Sequence, residues 1–172
     1  TKLQPAEVDE SIGKLQIVNI TLDRAWDDAQ AMFESLNSTG KELSESDLIR
    51  NYVLMGLEPT EQTYVYEHLW RPMELLFVYE TQDSVMDRFF RDYLTMKITR
   101  IPKQDRVYEE FKLYHLNCEF STIRELCQDL LTYAKYYTDM VFKRSSNPAL
   151  KSLYEDINDL RMEVSYPFLL KV

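Results

Sequence analysis

From Trp26 to Val164 the apolar residues of this chain return every three to four positions, the spacing that gathers side chains on one face of an α-helix. Trp26, Ala29, Phe33 and Leu36 define a first helix. Leu48, Ile49, Tyr52 and Val53 define a second, introduced by Ser44, whose hydroxyl caps free amides while Asp47 sits at the third helical position of a capping-box pattern. Thr60 begins a third, with Val65, Leu69, Met73 and Leu76 on its buried face. Pro72 inside it should kink or divide the rod, because proline has no amide proton and its ring meets the carbonyl four residues back. Val85/Met86, Phe89/Phe90 and Tyr93/Leu94 make a fourth, which stops before Ile101-Pro102. A fifth carries Val107, Phe111, Tyr114 and Cys118. Ser121 caps the sixth and longest, with Ile123, Leu126, Leu130, Ala134, Tyr137 and Val141 in register. Asn147-Pro148, an N-cap followed by a proline that suits the first helical position, opens a seventh through Leu150, Leu153, Ile157, Leu160 and Val164.

One segment breaks the period. Residues 17–22, IVNITL, alternate Ile17, Asn19 and Thr21 against Val18, Ile20 and Leu22, a strand pattern. A lone strand cannot satisfy its own backbone, so it is expected to pair with a sheet upstream. The expected fold is mainly α: an irregular bundle of about seven helices preceded by one short β-strand. Residues 1–22 are read as a lead-in and strand belonging to an upstream α/β part, and 23–172 as a helical domain. Thr1 opens the chain without a Met, and Pro167 suits the first turn of a further helix that has no room to continue, so a fragment of a longer protein is expected.

At 172 residues, 45% of them hydrophobic, the chain buries roughly 70% of its unfolded surface and needs no staples. Three Gly and six Pro, with no Ser/Gly-rich stretch, leave no linker signal. Cys118 and Cys127 show no CxxC or framework spacing and read as buried free thiols in a reducing compartment. No apolar run reaches membrane-spanning length and no signal-peptide core opens the chain, so a cytoplasmic protein that does not meet the membrane is expected.

A net charge of −9 repels phosphate backbones and disfavours tight nucleic-acid binding by the chain as a whole. The charge is uneven. Between 88 and 106, Arg88, Arg91, Lys97, Arg100, Lys103 and Arg106 face only Asp92 and Asp105. Two readings stay open: a solvated helix end and loop, or a phosphate-facing patch with Arg88, Arg91 and Arg100 as contacts.

Residues 35–51, SLNSTGKELSESDLIRN, contain a Gly40-Lys41 pair suggestive of a phosphate loop. That loop requires a leading Gly and a hydroxyl after the Lys, and here Ser35 and Glu42 stand in those places. The segment fails as a P-loop. His68 and His115 lack the neighbours of a metal site, so no metal ligands are assigned. His115 and Cys118 lie three apart but have no third group to orient them as a nucleophile and base. No catalytic residue is identified.

Phe33, Asn37, Gly40, Leu43, Asp47, Leu48, Ile49, Arg50 and Asn51 spell F-x-x-x-N-x-x-G-x-x-L-x-x-x-D-L-I-R-N. This segment resembles a signature of the DGQQR-motif domain, the N-terminal half of GmrSD-like modification-dependent restriction proteins and related phage-defence proteins. The resemblance implies an upstream ParB/sulfiredoxin-like part bearing the DGQQR motif and linked to nucleotide hydrolysis. In many members it also implies a downstream HNH nuclease domain that cuts modified DNA. An NTP and a divalent metal would be cofactors of such a parent protein, and DNA would be reached only through it. The DGQQR motif itself is absent here, so this chain is expected to need no cofactor and to catalyse nothing alone. Phe33, Gly40, Leu43, Asp47, Leu48 and Ile49 are expected to be structural. Asn37, Lys41, Arg50 and Asn51 are expected either to face the missing part, completing a nucleotide pocket or interdomain contact, or to lock the helix–loop–helix seam. Beside these stand two other readings: a helical protein-interaction module, and a nucleic-acid-contacting domain using 88–106.

Overall fold

The computed structural model describes residues 43–78 and 84–172, with a few isolated positions before 43. The protein is mainly α. Its helices are α1 (Glu45–Leu54), α2 (Pro59–Val65), α3 (Arg71–Phe77), α4 (Ser84–Ile98), α5 (Val107–Asn117), α6 (Ile123–Val141), α7 (Pro148–Asp159) and α8 (Tyr166–Lys171). No strand occurs among the described residues, and the expected strand at 17–22 lies outside them, as does most of the expected first helix.

The third expected helix is divided at the proline. A π-helical turn, Tyr66–Trp70, joins α2 to α3, and Pro72 falls in the first turn of α3. The wider turn places the missing amide of proline where helical register has already been reset, so no carbonyl collides with its ring. This helix begins one residue earlier than expected, with Pro59 as its first residue.

α4 and α6 form the centre. Phe89, Phe90, Tyr93 and Leu94 of α4 and Leu126, Leu130, Ala134 and Tyr137 of α6 are wholly buried. α8 packs on α4, α3 packs on α6, and α5 lies between α4 and α1. Phe89 is the aromatic hub, with ring centroids 5.5 Å from Phe77, 5.3 Å from Phe90 and 5.4 Å from Tyr137.

Three expectations need correction. The cap of α6 is Thr122, one residue beyond Ser121; its hydroxyl accepts from the Glu125 amide at 3.2 Å, while the Glu125 carboxylate reaches back to the Ser121 amide at 2.8 Å. Cys118 lies just past α5 and is half-buried, whereas Cys127 is buried and its thiol is pushed up to about 12 by desolvation. Along α7 the apolar stripe is covered only in part: Tyr154 and Ile157 pack against the core, while Leu150, Leu153 and Leu160 remain exposed, since α7 packs mainly on α6 and meets α8 through the Tyr166–Asn158 hydrogen bond.

Helix ends also differ from the usual pattern. With few glycines in the chain, Thr99, Lys143 and Arg161 take the left-handed positions after α4, α6 and α7, at φ near +55°. Lys143 and Arg161 are long and tolerate it. Thr99 is β-branched, and its conformation is strained.

Candidate functional site

The described part of the signature segment lies in α1. Ser44 caps this helix, its hydroxyl oxygen accepting from the Asp47 amide at 3.1 Å and its O–H donating to the Asp47 carboxylate at 2.8 Å. The Ser46 amide donates to Asp87 of α4 at 2.8 Å. Two of the first-turn amides that would seat an anion, those of Ser46 and Asp47, are therefore already occupied by a carboxylate and a hydroxyl.

Arg50 stands beyond that turn. Its guanidinium lies 3.2 Å from Asp47 and 3.3 Å from Glu74 of α3. Glu74 is itself held by the indole N–H of Trp70, which donates to it at 2.7 Å from a fully buried ring. Two carboxylates thus surround one guanidinium and tie α1 to the π turn and α3. Ile49 is in the core, Leu48 packs against it, Asn51 is half-buried, and Leu43 is more than a third exposed. Phe33 is helical and half-buried, while Asn37, Gly40 and Lys41 lie outside the described residues.

The two histidines lie apart and each meets a tyrosine. His68 is exposed and stacked on Tyr64 at 4.6 Å. The His115 ring meets the Tyr52 hydroxyl at 2.8 Å, and burial lowers its pKa. Cys118 donates to the backbone carbonyl of His115 at 3.2 Å, not to its ring, so the two form no nucleophile–base pair. No group of His, Cys, Asp or Glu among the described residues is arranged to hold a metal. Likewise no helix among them is long and apolar enough to cross a membrane.

The basic stretch 88–106 does not act as one patch. Arg100 pairs with Glu110 of α5 at 2.5 Å. Lys97 pairs with Asp129 at 2.8 Å inside a ring of Tyr93, Tyr133 and Phe120. Arg88 is ion-paired with Glu163, and Arg91 donates its Nε–H to the Pro102 carbonyl at 2.9 Å.

Arg88 and Arg91 nevertheless share a feature that the charge pattern did not reveal. Both line a groove of about 570 Å³ between α4 and the segment leading into α8. Asp92 lies on this groove, accepting from the Tyr137 hydroxyl at 3.1 Å, and burial pushes its carboxyl up to about 6. Asp92 was read from sequence only as a charge facing the basic residues. The signal that could have found it is its place three residues after Phe89 and four before Met96, where a carboxylate interrupts the apolar positions of the helix. No family model, curated protein or solved structure matches this chain.

Proposed function

We propose that this chain is the helical scaffold and interdomain portion of a GmrSD-like, nucleotide-dependent restriction or phage-defence protein, and performs no catalysis itself. The observation that carries this reading is the Asp47–Arg50–Glu74–Trp70 network. The resemblance rests on the segment from Phe33 to Asn51, and its one described arginine is engaged in joining helices. A guanidinium between two carboxylates is a poor phosphate ligand, because a phosphate would have to displace both. The cofactor, the DNA target and the HNH and DGQQR partners belong, in this reading, to the rest of the parent protein.

Arg50→Ala tests it. A scaffold role predicts a loss of about 1 kcal/mol in unfolding free energy, with the nucleotide affinity of the parent protein unchanged once folded. Lost affinity with full stability would instead place Arg50 in the nucleotide pocket. A parent reading frame with neither an upstream DGQQR nor a downstream HNH motif would overturn the assignment to this class.

A further inference from the structure

The groove between α4 and α8 combines features that packing of the bundle does not require. Its rim is apolar and exposed: Val164 is 84% and Phe168 68% accessible, with Ile101 beside them at 62%. Its polar edge holds Arg91 and Lys171. The Nε–H of Arg91 is bonded to Pro102, and no acceptor for its terminal nitrogens, nor any ion-pair partner for Lys171, is present among the described residues. Thr99, the strained residue that ends α4, lines the same groove. Strain, exposed apolar surface and cations with unbonded N–H donors gathered in one concavity mark binding sites. The groove volume of about 570 Å³ lies in the range of small-molecule sites.

From this arrangement we infer that the groove binds a small amphipathic monoanion, with a carboxylate, sulfonate or phosphodiester head on Arg91 and Lys171 and an aryl or short alkyl body against Ile101, Val164 and Phe168. The charge count sets the ligand's charge. Arg88 is paired with Glu163, and the Asp92 carboxylate beside Arg91 offsets a second positive charge, so one net positive charge remains for the head group. The carboxylates of Asp92 and Glu163, which also line the groove, oppose a ligand that carries further negative charge. This inference stands apart from the scaffold reading, since it uses no residue of the 33–51 segment.

The test uses anilinonaphthalene sulfonate, an aryl monoanion whose fluorescence rises in apolar surroundings, titrated into the folded chain. Saturable binding is expected, weakened about tenfold by Lys171→Glu and by Arg91→Ala, and clearly weakened by Phe168→Ala. Uncharged phenylnaphthylamine should bind about tenfold more weakly than the sulfonate. Lys171 and Phe168 are exposed, so their variants keep the fold, checked by circular dichroism, even if Arg91→Ala does not. Absence of saturable binding, binding unchanged in both Lys171→Glu and Phe168→Ala, or equal binding of the neutral analogue would overturn the inference.

Discussion

The Glu45 carboxylate of α1 accepts a hydrogen bond from the backbone N–H of Tyr108, in the first turn of α5, at 2.5 Å. The residue before α5, Arg106, offers no side-chain acceptor of its own, so a carboxylate 63 positions away serves as the cap. α1 is in turn capped by Asp87 of α4. Burial raises the Glu45 pKa while the Tyr108 amide pulls it the other way. Glu45→Ala should cost about 1–2 kcal/mol, and Glu45→Gln, which keeps an acceptor, less than half of that. Urea denaturation checks this: the midpoint should fall with an unchanged slope. Equal stability of Glu45→Ala and the parent would show that the cap carries no energy.

Asp92 makes stability depend on pH in an unusual direction. Its folded pKa of about 6 lies above its ordinary value of 3.8, so between those values the folded state binds more protons than the unfolded one. Its contribution to stability therefore falls as pH rises from about 4 to about 6. Asp92→Asn keeps an acceptor for Tyr137 and has no proton to lose. The difference in unfolding free energy between variant and parent should move in the variant's favour across that window and then level off. A difference that does not change with pH would remove Asp92 as its source.

Glu74 serves two donors, and its variants separate them. Glu74→Ala leaves the buried Trp70 N–H without a partner and leaves Arg50 paired with Asp47 alone, at a cost of about 1–3 kcal/mol. Glu74→Gln retains an acceptor for the indole and loses only the ion pair, so it should cost under about 1 kcal/mol. Guanidinium denaturation of the two variants gives the comparison; equal losses would mean that the indole bond contributes nothing.

Thr99 holds φ at 55°, a region that suits glycine. Thr99→Gly relieves the β-branched side chain and should stabilise the fold by about 1 kcal/mol, partly offset by the greater freedom of glycine in the unfolded chain. Thermal unfolding checks it, and a lowered melting temperature would show that the threonine side chain is needed in place.

Much of the helical plan was legible in the residues. Asn147-Pro148 opens α7 as its chemistry demands, with the Asn147 side chain accepting from the Ala149 amide at 3.0 Å, and Ser44 caps α1. Pro72 divides a helix because a missing amide acts wherever the chain goes. The site was far less legible. Arg50 reads in sequence as an anion ligand, an interdomain contact or a lock of the helix–loop–helix seam, and nothing near it in the chain announces its pairing at 3.3 Å with Glu74 of another helix. The six cations between 88 and 106 looked continuous in sequence, yet five of them, Arg88, Arg91, Lys97, Arg100 and Arg106, are parted among Glu163, the Pro102 carbonyl, Asp129, Glu110 and Glu109.

Local physics acts within a few residues: periodicity, capping and the proline break are set by near neighbours, and the sequence by itself determined a mainly helical chain with most of its helix boundaries. Long-range electrostatics and burial depend on which surfaces meet. Only the tertiary structure decided that Glu45 caps a distant helix, that Leu150, Leu153 and Leu160 stay open to solvent while Ile157 packs inward, and that Asp92 is buried enough to hold its proton near pH 6. Those outcomes rest on contacts between helices far apart in the chain, which no window of neighbouring residues contains.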